Sequence, residues 1–108
     1  MKYNKYLFEE AGIINFGSRL DLLMKTLEVS NIQLAKTLSI DPSLISRWRT
    51  GVRQLPKKHN NYYIENISLY LARRAEKNGL ENKLNNLFGF EKDVYQRIVA
   101  FIIKFMTG

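Results

Sequence analysis

The chain of 108 residues contains no cysteine. That excludes a disulfide framework, a thiolate nucleophile and any zinc site built on thiolates. There is one histidine, His59, and no carboxylates cluster beside it, so no metal or other cofactor is expected. No stretch reaches the roughly 18 apolar residues needed to cross a bilayer. The first residues, MKYNKYLFEE, lack the apolar core of a signal peptide. Neither repeats nor low-complexity tracts occur, and the length suits one modest core rather than two. A cytoplasmic protein with no membrane partner is expected. Acidic residues are also scarce: 10 Asp and Glu stand against 17 Lys and Arg, a net charge of +7. That excess agrees with a nucleic-acid partner.

Residues 31–50 carry the densest signal. Ser30-Asn31-Ile32-Gln33 is Ser-x-x-Gln, a capping box that starts a helix after Ser30. Leu34, Ala35 and Leu38 lie on one side of that helix, with Gln33, Lys36 and Thr37 on the other. Asp41-Pro42 then starts a second helix, Asp as N-cap and Pro at the first helical position. So short a link forces a steep crossing, which the small Ala35 suits. On the second helix Ser43, Ser46, Arg47 and Thr50 share one face. Leu44, Ile45 and Trp48 take the opposite face, and Gly51 supplies a left-handed stop. A polar, basic face backed by an apolar one fits a helix laid in the major groove of DNA. An ordinary surface helix would share the periodicity but not the paired caps.

From Arg47 to Lys58 there are five basic residues and no acidic one, whereas solvated faces usually mix both signs. Arg47 is expected to read guanine, a contact worth about 1–3 kcal/mol of discrimination. Ser43 and Ser46 are expected to tune that reading. Leu44 either touches a thymine methyl or belongs to the core. Phosphate contacts are expected from Asn31, Gln33, Lys36, Arg49, Thr50, Arg53, Lys57 and Lys58. For Arg49 an internal ion pair is the alternative.

The run from Leu20 to Pro56 resembles the lambda-repressor-like helix-turn-helix family (Cro/CI type) of transcriptional regulators. Ala35 matches the family's small residue in the first helix of the motif. Ile45 matches its buried aliphatic, and Trp48 the apolar position three residues on. Trp48 to Pro56, WRTGVRQLP, resembles its usual ending of Gly, a basic residue and Pro. Two departures stand out. Ser39 occupies a turn position usually held by Gly, and Pro42 one where many members place a base-reading Gln. The resemblance implies a sequence-specific duplex-DNA regulator. A repressor is favoured, because occupancy alone blocks a promoter.

The fold expected is all-α, a compact bundle of five to six short helices. Residues 1–16 form an arm rich in aromatics (Tyr3, Tyr6, Phe8, Phe16) that packs on the domain or on a partner. Residues 17–78 form the DNA-binding domain. Residues 79–108 form C-terminal helices for dimerisation. Ser18-Arg19-Leu20-Asp21 reads as another capping-box start. Leu20, Leu23, Met24 and Leu27, with Leu34, Leu38, Ile40, Ile45 and Trp48, form the expected core. A helix carrying Ile64, Ile67, Leu71 and Ala75 follows Pro56 and ends at Asn78-Gly79. A short one with Leu80, Leu84, Leu87 and Phe88 closes at Gly89. The last segment is apolar nearly all round, so it needs cover. Burial in the monomer's own core is one answer. A homodimer interface through Val94, Ile98, Phe101, Ile102 and Phe105 is favoured.

An antitoxin-like or adaptor protein, binding a partner protein through that last helix, is the alternative function. Catalysis is not expected. Tyr62-Tyr63 near His59 lacks the Arg and His cluster of tyrosine strand transfer, and Glu9-Glu10 do not face each other on a helix. No ligand pocket is legible, so small-molecule control would require a second domain. The chain stops directly after an apolar segment, as it would if a longer natural protein had been cut there.

Overall fold

The computed structural model describes residues 15–77, 79 and 95–107, with the backbone alone at 95–98 and 101. Every element among them is helical: α1 (Phe16–Thr26), α2 (Asn31–Leu38), α3 (Pro42–Thr50), a 3-10 turn at Lys57–His59, α4 (Asn60–Lys77) and α5 (Tyr95–Thr107). The class is therefore the small all-α bundle expected. Among the described residues no helix is long and apolar enough to cross a membrane.

Local chemistry sets the helix ends. α1 starts three residues before the expected Ser18. Asn15 is the N-cap: its Oδ1 accepts from the Ser18 amide at 2.9 Å, and the Ser18 hydroxyl accepts from the Asn15 amide at 3.3 Å. Ser18 is thus the last residue of a capping box, not its first. The expected arm therefore ends inside α1, and Phe16 packs edge-on to Trp48 with centroids 6.3 Å apart. Tyr3, Tyr6 and Phe8 lie outside the described residues.

α1 and α2 both end in a left-handed residue followed by a buried or half-buried aliphatic. Glu28 (φ 58) closes α1, and the Val29 amide donates to the Met24 carbonyl at 2.9 Å. Ser39 (φ 57, ψ 45) closes α2, and the Ile40 amide donates to Ala35 at 3.0 Å. Both are Schellman closures, which satisfy last-turn carbonyls that would otherwise stay bare. Ser39 thus takes the backbone conformation that glycine would supply without strain.

α1 packs on α3 and α5, α2 on α3 and α4, and α4 on α5. The shared core contains Leu20, Leu23, Met24, Leu27, Leu34, Leu38, Ile45 and Trp48. Ile40 is half-buried at its edge. From α4 come Ile64, Ile67, Leu71 and Ala75, as the spacing predicts. Gly17 lets α1 approach α3 closely: a Cβ there would collide with the Trp48 backbone carbonyl.

α5 supplies Ile102, Phe105 and Met106 to this same core. The expected dimer face is corrected for two of its members. Ile102 and Phe105 are fully buried within their own chain, because α4 and α1 cover that side of the helix. Arg19, 3% exposed, secures the junction by donating from Nη1 to the Phe105 carbonyl at 3.1 Å. Val94, the side chains of Ile98 and Phe101, and the expected helix around Leu80–Phe88 lie outside the described residues.

Candidate nucleic-acid interface

The exposed face of α3 is set by caps at both ends. At the start, Asp41 Oδ1 accepts from the Ser43 amide at 2.8 Å, with Pro42 behind it. At the end, Gly51 turns left-handed (φ 80) and its amide donates to the Trp48 carbonyl. The Arg53 amide then reaches back to the Arg47 carbonyl at 3.1 Å, which folds the following loop onto the helix end.

Between these caps the two faces separate cleanly. Ile45 and Trp48 are fully buried, and Trp48 meets Tyr63 of α4 edge-on at 5.1 Å. Ser43, Ser46, Arg47 and Thr50 are exposed on the other side. The Thr50 hydroxyl donates to the Ser46 and Arg47 carbonyls, leaving its oxygen to accept. Arg53, Lys57 and Lys58 are exposed beyond the helix, and Gln33 and Lys36 are exposed on α2. Gln33 Oε1 is already taken by the Ser30 amide at 2.8 Å, so only its NH2 group is left to reach a phosphate.

The expected site changes at three positions. Leu44 is half-buried and packs against the core, so part of its side chain serves packing. Arg49 is not an outward phosphate contact. Its Nη2 and Nε lie 2.8 and 2.9 Å from Asp21 Oδ1, and its Nη1 donates to Asn31 Oδ1 at 2.7 Å. Asn31 accepts that bond through its side-chain oxygen, which fixes the side chain and leaves its NH2 group and its backbone amide as the donors able to meet an anion. The ion pair joins residues 28 apart in sequence, a separation at which local pattern does not name the partner.

Two carboxylates shape the local field. Burial raises the Asp21 carboxyl, but hydrogen bonds from Lys25 and Arg49, with their charges, outweigh it and hold the group below its ordinary 3.8. Asp41 is held below the same value by the Ser43 amide and hydroxyl and then by the charge of Arg47. Asp41 is the acidic group that sequence reading overlooked as a neighbour of Arg47. Exposed apolar residues were overlooked too: Ile32 on α2 and Val52 after Gly51 are 68% and 78% exposed.

Among the described residues no group of three or more His, Cys, Asp or Glu could hold a metal ion. Comparison of the chain with protein-family models, curated proteins and solved structures finds no match.

Proposed function

We propose that the protein is a sequence-specific duplex-DNA-binding regulator in which α2 and α3 act as a helix-turn-helix. α3 would lie in the major groove, and no bond is made or broken in this reading. One observation carries it: Ser43, Ser46, Arg47 and Thr50 form an exposed polar face directly behind which Ile45 and Trp48 are fully buried. The acid-free basic run through Arg53, Lys57 and Lys58 extends that face. Arg47 is the base-reading residue, able to span two acceptors on guanine. Ser43 and Ser46 adjust the preference. Ile32 or Val52, rather than Leu44, supplies apolar contact to thymine methyls.

Phosphate contacts fall to Lys36, Arg53, Lys57, Lys58, the Gln33 and Thr50 side chains, and the first amides of α2, which have no partner within the helix. They position the helix without carrying sequence information. Two copies on a two-fold operator would place half-sites about one helical turn apart. Blocking a promoter needs only occupancy, so repression is the mode proposed.

Selection from a random duplex pool across a salt series tests the reading. An enriched sequence should emerge, bound at least about a thousandfold more tightly than unrelated duplex. Its affinity should fall steeply as salt rises, since each phosphate neutralised releases a counterion. An unenriched pool would overturn the reading.

A further inference from the structure

The proposed DNA face carries one carboxylate. From Val29 to Ile64 the only acidic residue of the chain is Asp41, and it stands exposed at the start of α3. Like charges repel, so a carboxylate carried into a groove lined by phosphates lowers affinity for every sequence. Capping does not demand that charge. Asn and Ser cap a helix about as well as Asp, and α1 and α2 use the neutral Asn15 and Ser30.

Geometry leaves the carboxylate able to do more than cap. Its Oδ1 accepts from the Ser43 amide at 2.8 Å, and the Ser43 hydroxyl also serves it. An ionised carboxylate has about four acceptor sites, so capacity remains towards solvent. Asp41 and Arg47 are both exposed, and the charge of Arg47 acts on the carboxylate, so the two stand on the same outer surface. The first residues of a helix laid in the major groove lie nearest the base edges. There the four bases differ in what they offer a group that only accepts. Cytosine presents its N4 amino donor with no acceptor beside it. Adenine sets N7 next to its amino group, guanine presents N7 and O6, and thymine presents O4.

We propose that Asp41 is a specificity-determining residue of this surface, accepting a hydrogen bond from the N4 amino group of a cytosine and repelling guanine and thymine at the same position. At 1.5 Å of rise per residue, Asp41 and Arg47 are about 9 Å apart along α3. The cytosine therefore falls about two to three base pairs from the guanine that Arg47 reads. This inference rests on the DNA-binding reading.

Asp41→Asn and Asp41→Ser separate base reading from capping, because both keep a side-chain oxygen for the Ser43 amide. The full-length parent and the two variants are each carried through selection from a random duplex pool at one salt concentration, with thermal unfolding as the check on folding. The parent's enriched site should hold a cytosine that single-base replacement shows to be worth about tenfold in affinity. Both variants should lose that preference, keep the parent's choice at the base pair read by Arg47, and bind unrelated duplex several-fold more tightly. Base preferences unchanged in both folded variants would overturn the role of Asp41 and leave the DNA-binding reading standing. So would loss of preference for a base other than cytosine, or an equal loosening at every position. A parent that enriches no sequence would overturn both.

Discussion

Arg49 and Asp21 face each other at 2.8 Å across the α1–α3 junction, and the same guanidinium also holds Asn31 at the start of α2. One side chain, 16% exposed, therefore ties α1 to the two helices that present the proposed DNA surface. Arg49→Ala should cost about 1.5–3 kcal/mol of stability, because it leaves the part-buried Asp21 carboxylate with only the exposed Lys25 as charged donor and Asn31 Oδ1 without its guanidinium partner. Arg49→Lys should rescue little, since one ammonium cannot serve both partners as the planar fork does. Lys25→Ala, whose side chain is 70% exposed beside the same Asp21, should cost under about 1 kcal/mol. Urea denaturation of the three variants checks the order.

Acid should loosen the same junction. The Asp21 carboxyl lies below 3.8 in the folded chain, so its contribution is present above that value. The unfolded chain takes up the proton first as pH falls, and the contribution fades as pH drops through the folded value. Unfolding free energy should therefore begin to decline as pH approaches about 4. Asp41 adds to this in the same direction. Asp21→Asn should be less stable at neutral pH and show a shallower acid decline. Parallel acid curves for parent and variant would contradict this account of the junction.

Two backbone positions should respond in opposite directions. Ser39 is left-handed, a conformation costing a side-chain-bearing residue about 1–2 kcal/mol. Ser39→Gly should stabilise by about 1 kcal/mol, since the greater freedom of unfolded glycine returns part of that strain. Gly17→Ala should destabilise by about 1–3 kcal/mol, because its methyl group meets the Trp48 carbonyl and the helices must move apart. Thermal unfolding of both variants measures the contrast.

These positions also show what was legible in the residues alone. The Ser30 and Asp41 caps, the Gly51 stop and the inward faces of α1 to α4 follow from chemistry a few residues wide, and the structure reproduces them. The start of α1 was misplaced for a local reason: Ser18 can open a box or complete one, and Asn15 decides which. For Arg49 an internal ion pair is legible as an alternative, but its partner Asp21, like the close approach at Gly17, is not, because each depends on α1 meeting α3, a contact with no local periodicity. Ile102 and Phe105 illustrate the same limit. An apolar helix announces that it will be covered, but not whether its own chain or a second one covers it.

The central claim is that α3 reads bases through Arg47. Its sharpest test compares Arg47→Ala and Lys57→Ala on the selected duplex and on an unrelated one. Arg47→Ala should lose about 1–3 kcal/mol on the selected duplex, with preference relaxed at one base pair. Lys57→Ala should weaken both duplexes alike and reduce the salt slope by about one. If Arg47→Ala bound both duplexes as the parent does, the account would be contradicted.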